Sequence, residues 1–123
     1  MNSPFIYLTA HRVDPTRRDE LDALLAKYTE TISANEGLLA HYAYYDEEGT
    51  ELTLVQVHRD AASGEQHMQV AGPLIAQGVA LAETLRVEVY GEPGPAMSKA
   101  LEANAERGAR AVRATVPAVA FVR

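Results

Sequence analysis

The sequence predicts an α+β domain of the split βαβ, or ferredoxin-like, pattern βαββαβ, an antiparallel sheet backed by two helices. Three observations predict it. Four strand-like runs stand at residues 5–12, 38–45, 51–59 and 84–90, and two amphipathic helical stretches separate the first from the second and the third from the fourth. The middle pair of runs is joined by a short polar segment with one glycine, which is hairpin chemistry.

Residues 5–12 (FIYLTAHR) are rich in aromatic and β-branched residues and carry no breaker, so they form the first strand. Asp14-Pro15-Thr16 then supplies helix-start chemistry: a side-chain cap and a proline early enough that its missing N–H costs nothing. Leu21, Leu24, Leu25, Tyr28 and Ile32 recur at helical spacing and make the stripe that packs on the sheet. Gly37 is expected to close this helix in a left-handed cap.

Residues 38–45 (LLAHYAYY) and 51–59 (ELTLVQVHR) are the hairpin strands, with Gly49 supplying a positive φ in the connection. If Glu47 to Thr50 form the loop, Asp46 faces Glu51, and His41 shares a face with Gln56 and His58. Asp60 caps a second helix from Ala61, and Gly72-Pro73 is expected to kink or restart it as a short piece from Pro73 to about Gln77. In residues 84–90 (TLRVEVY) Leu85, Val87 and Val89 are expected inward, Arg86 and Glu88 outward.

These elements occupy residues 1–91. Gly91-Glu92-Pro93-Gly94-Pro95 is a linker by composition. Residues 92–123 read as an extension: a short helix through Met97, Ala100, Leu101 and Ala105, closed near Gly108, then a weakly alternating strand. Pro117 confines that strand to a sheet edge or to two short pieces. Crossing to a partner subunit, or capping a shared sheet edge, is the expected role of this extension, because an open sheet exposes edges that something must cover.

Composition narrows the function. The 123 residues carry a net charge of −6 and no cysteine, which excludes thiol catalysis and cysteine-held zinc or iron–sulfur sites. An acidic chain without a basic stripe is a poor partner for nucleic acid or an anionic membrane. The longest uncharged stretch, from Met68 to Ala82, falls short of the ~20 residues that span a bilayer. The N-terminus lacks the basic and apolar regions of a secretion signal, so a cytoplasmic location is expected. No GxGxxG follows a strand, and no flavin or other cofactor is expected.

The stretch Gly37-Leu38-Leu39-Ala40-His41-Tyr42, the hairpin, and Val57-His58-Arg59-Asp60-Ala61-Ala62 leading to His67-Met68 resemble the antibiotic biosynthesis monooxygenase-like family of dimeric α/β barrels. The resemblance implies a homodimer formed by packing two sheets, with a pocket between helices and sheet in each subunit. It also implies a cofactor-independent monooxygenase acting on an aromatic phenol or quinol, with His67 at a place where the family commonly carries a histidine. His58 stands where catalytic members often carry tryptophan, a residue this chain lacks. The alternative is a non-catalytic dimer of the same fold that binds a small ligand or serves as a scaffold.

Within that frame His67 is the candidate catalytic residue: an imidazole titrates near neutrality and can hydrogen-bond a phenolic hydroxyl or take its proton. Tyr7, His41, Tyr45, His58 and Met68 are the candidate substrate-binding residues, since rings with a polar tip can stack a planar substrate and orient it. The same residues also suit a plain core or sheet surface. His41, His58 and His67 could approach one another, but no HxH, HExxH or carboxylate at ligand spacing accompanies them, and no metal site is expected.

Overall fold

The computed structural model describes residues 3–123. Its strands are β1 (Phe5–Val13), β2 (Leu38–Tyr45), β3 (Glu51–His58), β4 (Ala82–Tyr90) and β5 (Arg110–Ala114), and its helices are α1 (Arg18–Ile32), α2 (Ala61–Val79) and α3 (Pro95–Glu106). The strands form one sheet in the order β2-β3-β1-β4-β5. The first four are antiparallel, and β5 runs parallel to β4, a pairing that requires the crossover α3 provides. This is the α+β, ferredoxin-like arrangement with a fifth strand added at one edge.

Local chemistry sets each boundary. Asp14 Oδ1 accepts from the Thr16 N–H at 2.9 Å, and a 3₁₀ turn (Pro15–Arg17) leads into α1. In the hairpin, Asp46 accepts from the N–H groups of Thr50 and Glu51 at 2.8 and 3.1 Å, and Gly49 takes a φ of 73°. Tyr45 therefore faces Leu52 and His41 faces Gln56, the register the loop length predicts. Asp60 caps α2 by accepting from the Ser63 N–H at 2.9 Å. Glu65, one turn into α2, accepts from the Ala96 N–H at 2.7 Å and so satisfies an otherwise orphaned donor at the start of α3.

Three expectations are corrected. Helix α1 ends at Ile32, capped by Ser33 rather than by Gly37, and Gly37 is not among the positive-φ glycines. It is small because a Cβ there would stand 2.6 Å from Ser63 Cβ. Helix α2 runs unbroken through Pro73 to Val79. Pro73 lies on the exposed side, where water can satisfy the carbonyl it frees, while Ala71 and Leu74 hold the helix on Tyr28 and Ile32 of α1. The alternation of β4 is interrupted: Ala10 pairs with Arg86 and His11 with Thr84, which leaves Leu85 as the extra residue of a bulge. Thr84 rather than Leu85 consequently sits beside His11 on the inner face.

The C-terminal strand stops at Ala114 and pairs with β4 of its own chain; no regular element follows through Arg123. Met97 and Leu101 of α3 are buried, the latter against Val87 and Val89. Both helices α1 and α2 cover the same sheet face. The opposite face carries exposed Ile6, Tyr42, Tyr44 and Tyr90. Among the described residues no helix is long and apolar enough to cross a membrane.

Candidate functional site

Between the two helices and the inner sheet face lies a cavity of about 130 Å³. Leucines from α1 (Leu21, Leu24, Leu25) and β3 (Leu52, Leu54), with Leu74 and Ile75 of α2, make its apolar wall. Tyr7, Thr9 and His11 of β1, Tyr28 of α1, His67 of α2 and Thr84 of β4 make the polar one, and Asn104 and Arg107 join them from the end of α3. A cavity near 150 Å³ holds a benzene ring, so this one suits a single aromatic ring. Val79, Thr84, Asn104 and Arg107 also line a wider neighbouring groove of about 500 Å³.

His67 is 1% exposed. Its Nε2 lies 2.8 Å from the Tyr28 hydroxyl, which accepts from Gln56 Nε2 at 2.8 Å. Gln56 Oε1 lies 3.2 Å from His58 Nε2, and His58 Nδ1 lies 2.7 Å from Ser63 Oγ. The His58 ring stacks on Phe5 at 4.9 Å and meets His67 edge to face at 5.2 Å. His67 Nδ1 is buried without a hydrogen-bond partner among the described residues.

Burial keeps these rings neutral, because a low-dielectric surrounding disfavours the charged form. It lowers the His67 pKa to about 3, with the neighbouring His58 and His41 adding to the effect, and lowers His58 to about 4. His11 is likewise lowered to about 4 by burial; its Nε2 and Nδ1 lie 2.9 and 3.1 Å from the hydroxyls of Thr9 and Thr84. Burial raises Tyr7 to about 12 and pushes Tyr28 up as well, so both stay protonated as hydroxyls.

Of the residues singled out in the sequence, His67 and Tyr7 line the cavity. His58 stands behind His67, within the hydrogen-bonded chain. His41 sits outside the wall, its ring 5.7 Å from that of Tyr28 and its Nε2 3.4 Å from Thr29 Oγ1. Tyr45 is engaged elsewhere: its hydroxyl donates to Asp22 at 2.6 Å and the Arg18 guanidinium lies 3.4 Å above its ring. Met68 is half-buried on α2 and outside the cavity lining. Among the described residues no group of three His, Asp or Glu is placed to hold a metal ion.

Tyr28 and Gln56 are the partners that sequence reading passed over. Tyr28 falls on the leucine stripe of α1 and so reads as core. Gln56 is the one polar residue pointing inward between Leu54 and His58, and that break in the apolar alternation was the available signal.

Comparison with known proteins agrees with this architecture. No curated protein matches the chain. Among solved structures, MupZ from Pseudomonas fluorescens is similar with a TM-score of 0.78 and 20% identity, over 100% of this chain and 91% of that one. Rv0793 from Mycobacterium tuberculosis follows at 0.65 and 23% identity, over 73% and 95%. A variant of SnoaB from Streptomyces nogalater, a cofactor-independent oxygenase, reaches 0.63 at 12% identity, over 72% and 92%. At these identities the likeness is one of fold. The model of the antibiotic biosynthesis monooxygenase family matches residues 4–72, from the start of β1 through the cavity-lining His67, and with more than half its length so matched the chain belongs to that family.

Proposed function

We propose that the protein is a cofactor-independent monooxygenase acting on an aromatic phenol or quinol, with His67 as its catalytic residue. The observation that supports this most is the buried His67–Tyr28 pair on the wall of a cavity sized for one aromatic ring. Apolar walls hold the ring, and the polar wall meets its oxygen. An electron-rich ring anion can react with dioxygen directly: the substrate gives up one ring C–H hydrogen and one hydroxyl proton, one oxygen atom becomes a new ring carbonyl, and the other leaves with those two hydrogens as water. The substrate itself then supplies all four electrons that dioxygen takes up. Tyr7, which lines the cavity, orients the ring, and His58 backs His67.

The same reading makes the protein a homodimer, joined through the sheet face that carries Ile6, Tyr42, Tyr44 and Tyr90. Residues 92–123 then extend a 1–91 unit, with exposed Val116, Val119, Phe121 and Val122 available to the partner.

Oxygen uptake with single-ring phenols and hydroquinols, compared between the wild type and His67→Ala, tests the activity. A loss of at least tenfold in the variant is expected, and equal rates would count against it. The alternative is a ligand-binding dimer without turnover, supported by the low basicity of His67. It predicts that aromatic compounds raise the melting temperature while oxygen is not consumed.

A further inference from the structure

The polar groups behind the cavity form one hydrogen-bonded chain, and its direction can be read from one end. Asn35 is held between two backbone groups: its Oδ1 accepts from the Gly37 N–H at 3.1 Å and its Nδ2 donates to the Ser63 carbonyl at 3.0 Å. The amide therefore has one orientation, and the second Nδ2 hydrogen goes to Ser63 Oγ at 3.3 Å. The Ser63 hydroxyl hydrogen has no other acceptor among the hydrogen bonds of the described residues, so it goes to His58 Nδ1 at 2.7 Å. A neutral imidazole carries one proton, so that of His58 is on Nε2, where it is donated to Gln56 Oε1. Gln56 in turn donates from Nε2 to the Tyr28 oxygen, and Tyr28 donates to His67 Nε2.

With Nε2 accepting, the proton of neutral His67 sits on Nδ1, the atom that is buried without a partner. We propose that this chain sets His67 as a hydrogen-bond donor, so that the site recognises an aromatic ligand through an acceptor oxygen, a phenolate or a ring carbonyl, and Asn35, Ser63, His58, Gln56 and Tyr28 are positioning residues. This rests on the reading of the cavity as the substrate site and narrows the substrate to rings that arrive with an acceptor oxygen, an ionised hydroxyl or a carbonyl. Two further observations agree. His67 is a poor base, its pKa held near 3. Tyr7, protonated on the same wall, makes no side-chain hydrogen bond among the described residues and is a second available donor.

The test is nitrogen-15 NMR of the ligand-free protein with labelled histidine at pH 7.5, a simple spectrum because the chain has 4 histidines. His67, assigned by its loss in His67→Phe, is expected to carry its proton on Nδ1, and His58 the opposite, on Nε2. A proton on His67 Nε2 would overturn the proposal. In Tyr28→Phe, His67 is expected to relax to a mixture of tautomers while His58 keeps its own; an unchanged His67 would remove the chain as the cause. Acetophenone, an acceptor without a donor, is expected to shift the His67 Nδ1 proton and to bind about tenfold tighter than ethylbenzene, the worth of one hydrogen bond. Equal binding, or no binding of acetophenone, overturns the ligand class. None of these readouts consumes oxygen, so a protein that passes them and shows no oxygen uptake retains the donor and loses the monooxygenase reading.

Discussion

Gly37 and Ser63 meet more closely than any side chain would allow, and the contact ties the end of the α1–β2 connection to the first turn of α2. Gly37→Ala would place its Cβ 2.6 Å from Ser63 Cβ and is expected to destabilise the fold by about 1–3 kcal/mol through overpacking, readable as a lower urea midpoint with unchanged slope. The buried histidines give a second expectation. Their folded pKa values of about 3 to 4 lie below the ordinary value of 6.5, so between these limits the unfolded chain binds protons that the native state refuses. Stability is therefore complete above pH 6.5 and falls as the pH drops towards 4. Each unit of lowering is worth about 1.4 kcal/mol, and the fully buried His58 and His67 alone make the loss several kcal/mol. Urea titrations at pH 7.5, 5.5 and 4.5 would show it; a flat profile from 7.5 to 5.5 would refute the neutral, buried assignment. None of this proton behaviour is visible in four scattered histidines, because it depends on which of them the helices bury.

Among the elements, the hairpin was the most legible from sequence and α2 the least. Asp46 and Gly49 specify a loop of one length, and in a sheet the length decides which residues share a face, so the His41–Gln56 register followed from five turn residues. Helix α2 defied its own sequence because tertiary packing outweighed propensity: Ala71 and Leu74 are buried against α1 while Pro73 faces water. Pro73→Ala restores a missing backbone donor to an intact helix and is expected to stabilise the protein by about 1 kcal/mol or more, measured by thermal or urea unfolding; destabilisation would show that the proline shapes the helix. The bulge at Leu85 had no sequence signature, since the local alternation was clean. Only pairing with β1 displaces it and delivers Thr84 to His11. At the start of α3, Glu65→Ala removes the acceptor for the Ala96 N–H and is expected to cost about 1 kcal/mol. Faster amide exchange over residues 96–106, with that of β1 and β3 unchanged, would identify the loss as local to α3.

For the whole molecule, a sheet covered on one side by two helices leaves the other side with large exposed apolar residues, a pattern that marks association surfaces. The proposed homodimer is checked by sedimentation at micromolar concentration, where a dimer is expected and where Tyr42→Asp with Tyr44→Asp should shift it to monomer; a wild-type monomer would refute it. Fold and family were within reach of the sequence because strand order, turns and the Asp60 cap are local signals. The cavity was half within reach. His67 and Tyr7 were identified, while Tyr28 and Gln56 acquire their roles from contacts across 28 to 39 positions of chain.

The cavity draws on two parts of the chain that carry unequal structural loads. Its inner wall comes from β1, β3, α1 and α2, with Thr84 of β4, residues that also build the sheet and its helical cover, so altering them endangers folding. Asn104 and Arg107 come from the tail end of an added helix, beyond that segment, and both face a groove shared with solvent. The mouth that joins cavity and groove can therefore change shape at Asn104 and Arg107 with less cost to folding than any change on the inner wall.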